Sequence, residues 1–190
     1  NVRCGREGDP GSNRRRLGRS VAEEVAARKS PEMKAVGRGV SSGSLRGCRG
    51  NSGVIRVQLV RGFNREIQEA GQIDPSVLSR AMVRGTETAY KAVMKPKEGT
   101  ILTVAKSMSD KGVELAEQTE DILEMIRLVI EAGEDALRQT PELLPVLKEA
   151  GVVDSGGQGL MEAVKGAYDG LTGKTVDFDL TSQESSDQAA

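Results

Sequence analysis

Two short stretches combine glycine with hydroxyl, amide and carboxylate side chains immediately before an apolar pattern of helical period. One reads Gly50-Asn51-Ser52-Gly53 and the other reads Asp154-Ser155-Gly156-Gly157. The backbone N–H groups of a glycine-rich turn at the start of a helix bind anions, so phosphate groups are natural ligands of such turns. For the first stretch taken alone, ordinary helix capping by Ser52 explains the residues equally well.

Asp154 has the chemistry for either of two roles. Its carboxylate can cap the following helix, or it can hold a ribose hydroxyl or an adenine amine. The glycines at 156, 157 and 159 are more than a cap needs, and close approach of a ligand to the backbone explains them better. A further turn, at residues 95–100, ends in Thr100, which can cap a helix or contact a phosphate.

Glu7 and Asp9 are two carboxylates separated by a single glycine. Because glycine lets the backbone turn sharply, both can approach one hard cation, and Mg²⁺ favours such partial ligation, with phosphates and water completing its coordination. On spacing alone, an acidic turn in a flexible arm is the favoured interpretation. The sequence contains no G-x-x-x-x-G-K-[ST], so phosphate binding here would not use a Walker-type loop.

The composition excludes several kinds of active site. The chain contains no histidine, which rules out a Ser-His-Asp triad, a Cys-His dyad and a histidine-ligated zinc or haem. Cys4 and Cys48 stand alone, so neither a zinc site nor a disulfide framework is indicated, and unpaired thiols fit a reducing compartment. Because the apolar runs are also too short for a membrane span, we expect a cytoplasmic protein.

The polar turns alternate with patterns of helical period, so the predicted fold class is all-α. Apolar side chains recur on one stripe after Gly53 and again within 119–139. Further helices are predicted at 21–29, 34–46, 76–94, 101–116, 142–150 and 157–171, and one strand-like stretch at 175–180. A capping oxygen followed by proline marks three helix starts, at Ser30-Pro31, Asp74-Pro75 and Thr140-Pro141.

The connections between these helices are short and repeatedly contain glycine. Short loops make successive helices antiparallel neighbours, which implies an up-and-down bundle or a closed helical barrel. Loops two helices apart then lie at the same end of the molecule. The four glycine-rich turns would therefore surround one end and bind a nucleotide without a Rossmann sheet.

Four segments together resemble the DhaL-type domain, which is the nucleotide-binding domain of dihydroxyacetone kinases. They are residues 49–55, 87–96, 98–104 and 147–157, within a resemblance that extends over 32–171. The match is closest to the bacterial fatty acid kinase branch. It implies an antiparallel barrel of about eight helices, with the first helix missing here, and with ATP and Mg²⁺ bound at one end.

The resemblance also implies the acceptor and the ligand contacts. In the fatty acid kinase branch, an acyl-binding protein presents a fatty acid carboxylate, and the product is an acyl phosphate. In the dihydroxyacetone branch, a histidine of a dihydroxyacetone-binding domain or subunit holds the acceptor, and this chain has no histidine. No residue stands out as a catalytic base, and a carboxylate acceptor would not need one. Mg²⁺ would be held by Glu7 and Asp9. The residues implied to line ATP are Gly11, Ser12, Asn13, Asn51, Ser52, Gly53, Thr100, Asp154, Ser155 and Gly156.

The metal-binding stretch departs from the family pattern Asn-Val-(Tyr/Phe)-Pro-Val-Pro-Asp-Gly-Asp-Thr-Gly-Thr-Asn-Met. Glu7 replaces the first aspartate and Ser12 replaces a threonine, whereas Asn1, Gly8, Asp9, Gly11 and Asn13 align without a gap. The residues at 3–6 and 14–16 include five arginines where the family has apolar or proline residues, and burying an unpaired arginine costs several kcal/mol. Either the arm has diverged, or residues 3–20 reflect a reading-frame error in the source sequence.

We divide the chain into an arm at 1–20 with the remnant of the metal loop, a nucleotide-binding helical domain at 21–173, and an acidic, polar tail or linker at 174–190. Because the sequence starts at Asn1 and not at methionine, we interpret it as a fragment. One rival function is a helical module that binds nucleotide or a partner without turnover. The other is nucleic-acid binding by the arginine-rich arm, which the net charge of -1 and the 2% aromatic content disfavour.

Overall fold

The computed structural model describes residues 33–47 and 50–174, and the structural statements below concern these residues. They form seven α-helices and no strand, which confirms the predicted all-α class. The predictions made for residues 1–32 and 175–190 lie outside this part of the chain. The helices are α1 (Met33–Gly47), α2 (Gly50–Ile67), α3 (Pro75–Lys91), α4 (Ile101–Ala116), α5 (Ile122–Leu143), α6 (Pro145–Ala150) and α7 (Ser155–Leu171).

Side-chain caps explain where two of these helices begin. The carboxylate of Asp74 accepts a hydrogen bond from the N–H of Val77 at 2.7 Å, and Pro75 occupies the first turn of α3, which confirms the start predicted there. Asp121 caps α5 by accepting hydrogen bonds from the N–H groups of Leu123 and Glu124. The predicted helix at 101–116 has the bounds of α4, whereas α3 ends at Lys91, three residues earlier than predicted.

The helix start predicted at Thr140-Pro141 is wrong. α5 continues through both residues to Leu143, and α6 begins only at Pro145, after the extended residue Leu144. A proline inside a helix removes the N–H that would bind the carbonyl four residues earlier. Here the hydroxyl of Thr140 donates to the carbonyl of Leu137 at 2.7 Å and replaces that donor, so the helix continues.

Successive helices pack against one another. From α1 to α5 each helix packs on the next, and α7 packs on both α4 and α5. α2 and α3 approach closely at Gly62, where an added Cβ would lie 2.5 Å from the carbonyl oxygen of Arg84. Further along the pair, Glu66 near the end of α2 binds Arg84 and also Arg80. This order of contacts shows that α2 and α3 are antiparallel, as the short loops predicted.

The apolar core lies between α3, α4, α5 and α7. Two buried hydroxyl groups also join α3 to α4: Thr86 and Ser109 are 2.6 Å apart, so one donates to the other, and the carbonyl of Ala105 lies within hydrogen-bond distance of both. Among the described helices, none is both long and apolar enough to cross a membrane. The core side chains are Leu78, Val104, Met108, Leu115, Met125, Val129, Ile130, Ala136, Leu137 and Met161.

Candidate functional site

The turn before α4 is fixed by hydrogen bonds from two threonines. Thr100 is the N-cap of α4, because its Oγ1 accepts from the N–H of Leu102 at 3.4 Å, and the same hydroxyl donates to the carbonyl of Lys97. Gly99 has a φ of +78°, a left-handed conformation that glycine adopts without strain, and its N–H donates to Oγ1 of Thr103 at 2.9 Å. The capping role of Thr100 is confirmed, and its contact with a phosphate stays a prediction.

The turn before α7 is built around Asp154. Its Oδ2 accepts a hydrogen bond from the N–H of Gly157 at 2.7 Å, so Asp154 is the N-cap of α7, as one of its two predicted roles required. Its own N–H donates to Oγ1 of Thr140 at 3.1 Å. The N–H groups of Ser155 and Gly156 make no hydrogen bond to any part of the chain that the structure describes. These two N–H groups therefore remain as donors for a ligand.

The first turns of α4 and α7 lie side by side. A Cβ added to Gly156 would be 3.3 Å from Cβ of Ile101, and one added to Gly157 would be 3.0 Å from both Val104 and Leu137. These close contacts are with protein neighbours, so helix packing accounts for Gly156 and Gly157 without any ligand. The predicted reason for these glycines, close approach of a ligand, is therefore not required by the structure.

The two helix starts together give this end of the bundle an electrostatic preference. An α-helix has roughly half an elementary positive charge at its N-terminus. The contact of Gly156 with Ile101 places the N-termini of α4 and α7 next to each other, so their partial charges add at one place. The N–H groups of Ser155 and Gly156 can donate to an anionic group such as a phosphate, and the carboxylate of Asp154 offsets part of the positive charge there.

The end of α5 lies between these two turns. An added Cβ at Gly99 would be 2.9 Å from the carbonyl oxygen of Thr140 and 2.8 Å from Cβ of Leu144. Thr140 therefore contacts the turn before α4 through its backbone and the turn before α7 through its hydroxyl. The sequence does not reveal this role, because Thr140-Pro141 has the same form as the start of a helix.

Gly50 to Gly53 form the first turn of α2 and not a loop before it, because α2 begins at Gly50. Capping of this helix by Ser52 is therefore wrong: Ser52 lies inside the first turn, where its side chain is exposed, and Gly53 is buried. Asn51 lies in the same turn. Since α2 is antiparallel to α3, and α3 leads by a short turn into α4, this first turn lies at the end of the bundle where α4 begins.

The predicted metal ligands Glu7 and Asp9 lie outside the described residues, as do Gly11, Ser12 and Asn13. Within residues 33–47 and 50–174, no three acidic or cysteine side chains come together in a way that could hold a metal ion. The predicted magnesium site at Glu7 and Asp9 therefore stays a prediction.

A separate groove of about 690 Å³ lies on α2 and α3, with Val113 of α4 at its edge. Glu66 accepts hydrogen bonds from Arg84 at 2.8 Å and from Arg80 at 3.3 Å, and these bonds hold the pKa of the Glu66 carboxyl below its usual value. None of the predicted site residues lines this groove, which we call the basic groove. Its cationic side chains are Arg65, Arg80, Arg84 and Lys91.

Known proteins are similar to this chain over most of its length. The family model of the DAK2 domain matches residues 7–169, a range that contains every predicted site residue. Protein YloV of Bacillus subtilis (strain 168) is 48% identical over 170 residues, and the protein named Uncharacterized protein SH1689 of Staphylococcus haemolyticus is 47% identical over 171 residues. Both alignments cover 90% of this chain but 31% of the relative, so the chain spans about a third of the length of these relatives.

Proposed function

Because the chain belongs to the DAK2 domain family, the DhaL-type nucleotide-binding module of kinase systems, we propose that it is the ATP-binding domain of a magnesium-dependent kinase. The observation that supports this most is the pairing of the α4 and α7 starts, with the caps Thr100 and Asp154 on adjacent turns. In this proposal ATP binds at that end of the bundle.

In this proposal the phosphates of ATP accept hydrogen bonds from the backbone N–H groups of Ser155 and Gly156, in the first turn of α7. Such donors are already oriented before the ligand arrives, so binding requires little rearrangement. In this proposal Thr100 borders the same site from the turn before α4. The first turn of α2 and the arm supply the remaining contacts, from Asn51, Ser52, Gly53, Gly11, Ser12 and Asn13.

The metal part of the proposal assigns Mg²⁺ to Glu7 and Asp9. When bound, Mg²⁺ neutralises charge on the phosphates, which is the main requirement of phosphoryl transfer. The chain's own residues bind and orient the nucleotide, and none is proposed as a general base. A cytoplasmic location, where ATP is present, goes with this proposal.

The phosphoryl acceptor lies outside this chain in our proposal. The acceptor is either a fatty acid carboxylate carried by an acyl-binding protein or a substrate on a dihydroxyacetone-binding subunit. Because the chain spans about a third of its relatives' length, a longer protein could supply further parts of this assembly. The altered metal loop, with Glu7 in place of aspartate and arginines at 14–16, favours one alternative: a module that binds nucleotide or a partner without turnover.

Calorimetry of the full chain tests the proposal. We predict that ATP binds with Mg²⁺ and that Asp9→Ala weakens this binding at least about tenfold, which corresponds to ~1.4 kcal/mol. Asp121→Ala is the matched control, because Asp121 caps α5 at the opposite end of the bundle, and we expect it to leave ATP affinity unchanged. Unchanged binding by Asp9→Ala would overturn the metal role, and no ATP binding by the unaltered chain would overturn the whole proposal.

A further inference from the structure

Thr140 is a fully buried threonine near the end of α5, with 0% of its surface exposed. Its hydroxyl donates to the carbonyl of Leu137 at 2.7 Å and accepts from the N–H of Asp154 at 3.1 Å. One buried hydroxyl thus binds both its own helix and the turn before α7. Because Asp154 lies 14 residues after Thr140 in sequence, the hydroxyl links two separate elements.

Pro141 explains why this hydroxyl has a fixed orientation. Proline has no N–H, so position 141 cannot donate to the carbonyl of Leu137 as an ordinary helical residue would. A buried carbonyl without a donor costs free energy, so the hydroxyl hydrogen of Thr140 is directed to it. The oxygen of Thr140 is then left as an acceptor, and the N–H of Asp154 is its partner.

Asp154 is therefore held from two sides. Its backbone is bound by Thr140, and its carboxylate caps α7 at the N–H of Gly157. The turn before α4 packs on Thr140, since an added Cβ at Gly99 would meet the carbonyl oxygen of Thr140 at 2.9 Å. Both turns of the candidate nucleotide site thus contact Thr140.

We propose that Thr140 is a positioning residue for nucleotide binding, which orients the Asp154–Gly157 turn through the Asp154 N–H. This inference rests on the proposed ATP site. Thr140 itself is buried behind the turn and acts through Asp154 without touching the ligand. Its hydroxyl sets the direction in which the N–H groups of Ser155 and Gly156 point.

Three variants of the full chain separate this role from a general effect on stability. Thr140→Val removes the hydroxyl at nearly constant volume, and Thr140→Ser keeps it. The double variant Thr140→Val with Pro141→Ala gives the carbonyl of Leu137 a backbone donor again but leaves the N–H of Asp154 without its partner. Each variant is measured for unfolding temperature, hydrogen exchange at the Asp154 amide, and ATP affinity with Mg²⁺.

We expect Thr140→Val to lower the unfolding temperature, to speed exchange at Asp154, and to weaken ATP binding about tenfold, the effect of one lost buried hydrogen bond. The double variant regains unfolding temperature but keeps the fast exchange and the weak binding. Thr140→Ser retains slow exchange and stays within about twofold of the original affinity, even if its lost methyl group lowers the unfolding temperature.

Recovery of ATP affinity in the double variant would overturn the inference, because stability alone would then explain the effect. Unchanged exchange at Asp154 in Thr140→Val would overturn it independently of any nucleotide. If the unaltered chain binds no ATP, the proposed function fails and the nucleotide part of the inference fails with it. The exchange measurement then still decides whether Thr140 holds the turn.

Discussion

Asp154 uses one carboxylate oxygen, Oδ2, on the N–H of Gly157 and its own N–H on the hydroxyl of Thr140. The capping oxygen is therefore already bound within the protein. A contact with a ribose hydroxyl or an adenine amine would use the other oxygen, Oδ1, because a carboxylate has acceptor capacity for several hydrogen bonds. At this residue, capping and ligand binding are compatible roles and not alternatives.

Three of the capping residues were predictable from the sequence, but the link through Thr140 was not. Caps act on N–H groups two or three residues away, so Asp74, Thr100 and Asp154 could be recognised from local sequence. The bond between Thr140 and Asp154 joins residues from different elements. In sequence, Thr140-Pro141 has the same form as a cap followed by proline, and only the tertiary contact distinguishes the two.

Tyr90 lies near the end of α3, and the contribution of its hydroxyl to stability can be tested by substitution. Its hydroxyl is buried and has no hydrogen-bond partner within the described residues. Burial raises the pKa of Tyr90, and the negative charge of Glu98 raises it further. Because a buried polar group without a partner is costly, we expect Tyr90→Phe to leave the free energy of unfolding unchanged or to raise it by up to about 1 kcal/mol.

Urea unfolding of the original chain and of Tyr90→Phe measures this difference directly. A loss of more than about 1 kcal/mol in the variant would contradict the prediction. That result would mean that the hydroxyl has a hydrogen-bond partner in a part of the chain beyond the described residues.

α7 is the element whose packing positions the candidate site most directly. Gly157 in its first turn lies against Leu137 of α5 and Val104 of α4, whereas Gly166 further along the same helix has open space around its Cα. Replacing glycine by alanine should therefore change the free energy of unfolding in opposite directions at these two positions. Since both glycines are helical, differences in helix propensity cancel between them.

We predict that Gly157→Ala lowers the free energy of unfolding by about 1–2 kcal/mol, because the added methyl group would lie 3.0 Å from two side-chain carbons. Gly166→Ala is the matched control and should raise it by about 0.5–1 kcal/mol through helix propensity alone. Chemical unfolding of both variants tests this difference. Equal stabilisation by the two substitutions would show that α7 does not pack tightly on α4 and α5.

Helix positions were predicted well where local signals and packing agree. α4 begins after a threonine cap and follows a strong apolar pattern, and its predicted bounds are those of the structure. The break between α5 and α6 was placed at Pro141 and not at Pro145. Both prolines disfavour a continuing helix. At Pro141 the helix continues because the hydroxyl of Thr140 donates to the carbonyl of Leu137. The periodicity of the sequence does not indicate this hydrogen bond.

At the scale of the whole molecule, the sequence resemblance to the DhaL-type domain is confirmed by the match to the DAK2 domain over residues 7–169. The all-α class is confirmed as well. The closed barrel, the division at residues 20 and 173, and the metal loop involve residues beyond the described part and stay predictions. Antiparallel packing of successive helices supports the expectation that α2, α4 and α7 begin at one end.

This end of the bundle and the basic groove are two different places where ATP could bind. The first offers two adjacent helix N-termini and the N–H groups of Ser155 and Gly156. The second offers arginine and lysine side chains, but Glu66 already binds Arg80 and Arg84 there. Ion pairs of this kind reduce the charge that an incoming phosphate would meet, so we favour the first location.

An NMR titration of the ¹⁵N-labelled chain with ATP and Mg²⁺ tests most directly whether the nucleotide binds at the starts of α4 and α7. We predict that the backbone amide signals of Thr100, Ile101, Ser155 and Gly156 shift most and saturate together. Signals from the basic groove should move little. Shifts concentrated at that groove, with none at the starts of α4 and α7, would contradict the claim that the nucleotide binds where these two helices begin.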